Sequence, residues 1–246
     1  VRISSAAGDT IPAAPAAANT LSAAPTWGER GTWIWLSFVP AALLTAFTTH
    51  IATDIASAPL VWVLPLALYL LTFVLVFRDK ALIPLRSLLA VQLIAVALAL
   101  LYLSQNKHQT WYLSAALGTA AFFTAALVAH RTLYESRPAA AHLTSFYLFM
   151  SLGGALGGIF ASLIAPKLFS EVLEYPLLLA LTFACRPGAL TLSRSGGDLQ
   201  KLALIAAAAL AAIFVLPWAA TKIGLTFGEW GITPFIAAIL AAAIFV

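Results

Sequence analysis

The sequence predicts an all-α fold, a polytopic transmembrane helix bundle of about eight spans. Three observations predict it. The chain is 62% hydrophobic and 9% charged, with a mean hydropathy of +0.98, whereas a soluble domain carries roughly 25% charged residues. Apolar runs recur along the chain, most of them near the roughly 20 residues a helix needs to cross a bilayer. Lys and Arg also sort between the two sides that alternating spans would define. One side receives Arg2, Arg30, Arg78, Lys80, Arg86, Arg131, Arg137, Arg186, Arg194 and Lys201, and the other receives Lys107, Lys167 and Lys222. That excess marks the cytoplasmic side. The net charge of +4 therefore reports orientation, with the lipid bilayer as partner and no nucleic acid.

Residues 1–30 read as an Ala/Pro-rich cytoplasmic linker, with Pro12, Pro15 and Pro25. The stretch lacks the apolar core of a signal peptide. Residues 31–246 form the helical domain. Its candidate spans are Trp33–Ala52, Pro59–Phe77, Leu85–Leu103, Trp111–His130, Leu143–Ala165, Tyr175–Cys185, Leu202–Ala219 and Ile232–Val246. The sixth is short, and the charge alternation requires it. Most of the seven tryptophans fall near span ends, as interfacial anchors do. Pro40, Pro59 and Pro65 interrupt the first pair of spans. Proline inside a helix removes a backbone donor and favours a kink. Such a pair suits both a cavity lining and ordinary bundle geometry.

The fifth span carries Ser151-Leu-Gly-Gly-Ala-Leu-Gly-Gly158. Gly153 and Gly157 share one helical stripe with Ala161, and Gly154 and Gly158 share the next with Ser162. Small residues at this spacing let helices approach closely, so the span is expected to be a central packing element.

Polar groups are few. His50 and Asp54 lie four apart at the outer end of the first span, with Thr49 and Thr53 on an adjoining face. Ionisable groups at membrane depth often mark a substrate or proton path, while the same residues at a span end also suit capping. Tyr147 and Ser151 are four apart on the fifth span and join the candidate path, with interhelical hydrogen bonding as the plainer role. His130, Arg131, Glu135, Arg137 and His142 gather in the predicted cytoplasmic loop between the fourth and fifth spans, either as a solvated basic loop or as a docking surface for a cytoplasmic domain. Glu174 precedes Pro176 and suits a helix cap. The single Cys185 forms no internal disulfide, and no metal-ligand spacing is present. The Gly pairs lie inside an apolar helix rather than after a strand, so they make no nucleotide or AdoMet loop. No catalytic residue, metal site or cofactor is expected in this chain.

Several segments together resemble a known family. They are Thr48-Thr-His-Ile-Ala-Thr-Asp-Ile55, Pro59-Leu-Val-Trp-Val-Leu-Pro65, His142-Leu-Thr-Ser-Phe-Tyr-Leu148, Ser151-Leu-Gly-Gly154, Glu174-Tyr-Pro176 and Arg186-Pro187. They resemble the membrane portion of bacterial fused proteins, in which a region similar to the major facilitator superfamily precedes a spermidine-synthase-like domain. The resemblance covers residues 33–187. It implies half of a major-facilitator-type fold plus extra helices, in the bacterial inner membrane with both ends cytoplasmic. It also implies further membrane helices before Val1 and an aminopropyltransferase-like cytoplasmic domain after Val246. The expected function is to anchor, and feed, that domain. The rival expectations are half of a transporter for a small solute, a polyamine or other cation, and a purely structural membrane module.

Overall fold

The computed structural model describes residues 24–55, 62–78, 83–103, 110–168 and 174–189, and these are helical with no strand among them. The predicted spans at 202–219 and 232–246 lie outside the described residues. The other six coincide with helices. These are α1 (Trp27–His50), α2 (Val63–Val76), α3 (Leu85–Leu103), α4 (Trp111–Glu135) and α5 (Leu143–Ile159), then α6 (Ala165–Leu168), which continues α5, and α7 (Glu174–Leu181). Among the described residues, three stretches are long and apolar enough to cross a membrane: Trp27–Thr53, Trp111–Glu135 and Ala140–Leu168.

Helix α1 starts earlier than the predicted linker boundary. Thr26 accepts a hydrogen bond from Glu29 N while the Glu29 carboxylate accepts from Thr26 N. This reciprocal cap satisfies two donors that a bare helix end leaves open. Helix α4 likewise runs past the predicted loop start, through Glu135. Its last turn closes where Ser136 N reaches back to Thr132 O.

Contacts between helices fix their directions. Trp33 Nε1 donates to Ser136 O at 3.1 Å, while Phe47 stacks on Phe122 with ring centroids 5.0 Å apart. α1 and α4 are therefore antiparallel. Gly153 lies against Ile34 and Gly157 against Phe38, so α1 and α5 are parallel. Tyr69 meets His130 and Phe77 meets Tyr134, so α2 and α4 are parallel. Gln92 faces Thr182, and Arg186 reaches Leu89 O, so α3 and α7 are antiparallel. The successive long helices thus alternate in direction. One end of the bundle collects Arg30, Arg78, Arg86, Arg131, Arg137 and Arg186, and the opposite end holds Lys167.

The largest core cluster joins α1, α3, α4 and α7, around Leu43, Phe47, Leu100, Phe122, Tyr175 and Leu178. Nearer the arginine-rich end, Trp33, Leu36, Leu133, Phe146 and Cys185 form a second cluster. Among the described residues helix α5 lies at the edge of the bundle rather than at the expected centre. Gly153 and Gly157 are buried, whereas Leu148, Leu152, Leu156 and Leu163 remain exposed. Among the described residues, only one of its two small-residue stripes meets another helix.

Candidate functional site

Polar side chains gather at two levels of the bundle. At the end away from the arginines, α1 passes into a π turn at Ile51–Ile55. Such turns widen the helical repeat and recur at functional sites. His50, at the junction, is buried, and its ring stacks on Tyr175 with centroids 4.9 Å apart. Tyr175 stacks in turn on Phe47, and its hydroxyl donates to Gly118 O at 3.3 Å. Glu174 is buried beside it as the first residue of α7. The Asp54 side chain, the expected partner of His50, lies outside the described residues.

Thr49 and Thr53 are exposed and bond to their own helix. Thr53 Oγ1 donates to Thr49 O at 2.9 Å, and Thr49 Oγ1 to Thr45 O at 3.1 Å. Thr48 does the same to Leu44 O at 2.7 Å. These donors are already spent, in the pattern that bends helices. A second π turn, Phe160–Ile164, follows α5 and packs against α1.

The predicted path residues Tyr147 and Ser151 stand apart from this cluster. Both are exposed on the outer side of α5. They share that side with Gly154 and Gly158, where an added Cβ would meet nothing within 4 Å. Gly153 and Gly157 differ, since a Cβ there would overlap the Ile34 and Phe38 carbonyl oxygens.

At the arginine-rich end, the predicted loop cluster divides. His130 is fully buried inside α4 instead of lying in a solvated loop. The reason is a stripe on α2, since Tyr69, Thr72, Phe73 and Phe77 all turn toward α4. His130 Nδ1 is 2.6 Å from Thr72 Oγ1, and its ring lies 3.9 Å from that of Phe73. Arg131 pairs with Glu135 one turn apart. Arg137 is exposed, with its guanidinium over the Tyr134 ring at 3.8 Å. His142 is half-buried in the short turn before α5. Arg131, Glu135, Arg137 and His142 therefore remain near one surface, and His130 does not.

Sequence reasoning missed the cross-links of Thr72 and of Gln92. Gln92 is fully buried, accepts from Arg186 Nε at 3.0 Å and lies 3.5 Å from Thr182 Oγ1. Each stands alone among apolar residues, and that isolation was the available signal. A polar group in hydrocarbon needs a partner on another helix. Among the described residues no three His, Cys, Asp or Glu side chains come together as a metal site.

No family model matches this chain, and neither a curated protein nor a solved structure shows significant similarity to it.

Proposed function

We propose that this chain is a multi-pass membrane domain whose arginine-rich end is cytoplasmic and holds a cytoplasmic domain there. The alternation of helix directions, with every described arginine at one end, carries this reading. Arginine is retained on the cytoplasmic side of membrane helices, and a bundle with both properties is built for that orientation. The reading extends to about eight spans and to the bacterial inner membrane. It also extends to half of a major-facilitator-type architecture, as the motif resemblance implies. The docked domain is then spermidine-synthase-like, and Arg131, Glu135, Arg137 and His142 are the surface offered to it.

Orientation is tested by placing single cysteines at Arg137 and Lys167 in a Cys185→Ala background. An impermeant thiol reagent outside intact cells should label the Lys167→Cys chain and spare Arg137→Cys. The reverse pattern, or labelling of both, overturns the orientation. Anchoring is tested separately, because it requires an aminopropyltransferase-like segment encoded after Val246. A stop codon there removes it.

A second reading, a small-solute transporter half, draws on the π turn beside buried His50. Half-helices interrupted near a site are a transporter feature. Uptake that survives His50→Ala unchanged would remove His50 from such a path.

A further inference from the structure

His130 is a titratable group sealed between α2 and α4. Thr72 Oγ1 lies 2.6 Å from Tyr69 O and 2.6 Å from His130 Nδ1. A carbonyl only accepts, so the Thr72 proton goes to Tyr69 O. Nδ1 then carries the ring hydrogen and donates to Thr72 Oγ1. This leaves Nε2 as a bare lone pair, and Nε2 is buried with no hydrogen-bond partner. The other tautomer would bury an N–H without an acceptor, a defect that folded proteins rarely keep.

We propose that His130 Nε2 is a buried proton-binding site, and that its occupancy sets whether α2 stays docked on α4. This goes beyond the anchoring reading and does not depend on it. Among the described residues the attachment of α2 is narrow, since Pro65, Thr72 and Val76 are its buried residues while Leu64, Leu70 and Val74 are exposed. The Thr72–His130 bond is its one side-chain hydrogen bond to another helix among the described residues. A proton on Nε2 creates a donor facing an apolar seam with no acceptor. The docked state loses free energy, and parting α2 from α4 lets water accept that bond. The Phe73 face makes the cation tolerable on the way, since it lies against the ring. Aromatic rings attract such cations. The Phe77–Tyr134 pair, one turn nearer the arginine-rich end, is the cover that must move.

Among the described residues, none supplies a competing charge at the ring. From α2 the one titratable neighbour is Tyr69. On α4 itself, Arg131 and Glu135 neutralise each other, and Tyr134 packs on Phe77. α1 brings Trp33, Leu36 and Val39 to this level of α4, and α3 brings Leu88, all apolar. No carboxylate of the described residues pairs with the ring.

The test uses the whole chain in liposomes with 15N-labelled histidine. Magnetic resonance should show the Nδ1–H tautomer for the ring in contact with Thr72 at neutral pH, and an imidazolium on acidification. Spin labels at Val74→Cys and Arg137→Cys, in the Cys185→Ala background, should move apart over the same pH range. His130→Gln should abolish that separation. An Nε2–H tautomer at neutral pH overturns the proposal. So does a ring that stays neutral throughout the acid range in which the bundle persists, or label separation that is the same with His130→Gln. The resonance measurement on the chain with His130 in place keeps the test independent of how the variants fold.

Discussion

Gly157 packs directly on the carbonyl of Phe38. A Cβ at Gly157 would overlap that oxygen and lie 2.9 Å from Ala42 N, whereas one at Gly158 would meet nothing within 4 Å. The neighbours at Gly157 are backbone atoms of α1, which cannot swing aside. Gly157→Ala should therefore destabilise the bundle by about 1–3 kcal/mol, the usual cost of overpacking. Gly158→Ala should be neutral, or stabilise by roughly 0.5–1 kcal/mol through lower backbone entropy in the unfolded chain. Denaturant titration of the two variants in the same detergent checks this, and equal effects would contradict the α1–α5 contact.

That contrast also marks how far the sequence can be read. The four-residue glycine spacing announces close packing, but both stripes share it. Apolar residues surround both, so only the position of α1 shows that Gly153 and Gly157 are used. The ends of α3 at Leu85 and Leu103 follow from hydropathy, because the polar joins there are sharp. His130 does not follow. It borders a basic segment and looks like the start of a loop, and its burial depends on Thr72, 58 residues earlier. The π turns at Ile51–Ile55 and Phe160–Ile164 escape detection for a similar reason. They change the backbone repeat without changing which residue types appear.

Gly118 is crowded as well. A Cβ there would approach Phe47 Cε2 to 2.9 Å and the Tyr175 hydroxyl to 3.2 Å. These atoms belong to a stack that includes Phe122, Phe47, Tyr175 and His50. Gly118→Ala should therefore cost about 1–3 kcal/mol and displace the His50 ring with it. Tyr175→Phe is milder, because the ring stays and only the bond to Gly118 O is lost, at about 1 kcal/mol. Thermal unfolding together with the His50 ring resonances separates the two. A Gly118→Ala chain with native stability would mean that the stack does not close as described.

Trp33 ties the start of α1 to the end of α4. Its indole donates to Ser136 O at 3.1 Å, and its ring meets Phe146 edge-on at 5.2 Å. Trp33→Phe keeps most of the apolar contact and removes the donor, so a loss of about 1 kcal/mol is expected. Trp33→Ala also opens a cavity in a fully packed cluster, and about 3–5 kcal/mol is expected. A small, equal loss for both would show that the ring is not core.

Arg186 joins α3 to the end of α7 at the arginine-rich end. Its Nε donates to Gln92 Oε1 and a terminal nitrogen to Leu89 O, both at 3.0 Å, and its plane lies over Phe183 at 4.8 Å. Half-burial lowers the guanidinium pKa from its usual value. The two acceptors offset that cost while the group stays charged. Lysine carries the same charge without the planar fork or the stacking. Arg186→Lys should therefore lose about 1 kcal/mol, a figure held low because half of the group remains in solvent. Gln92→Leu removes the acceptor and frees Thr182 as well, so it should cost a similar amount. Because the two residues share one hydrogen bond, the double variant should lose less than the two single losses combined. Chemical denaturation of the four chains measures this coupling directly. Strict additivity would show that Arg186 and Gln92 act independently, and the link between α3 and the end of α7 would then rest on Leu89 O and the Gln92–Thr182 contact.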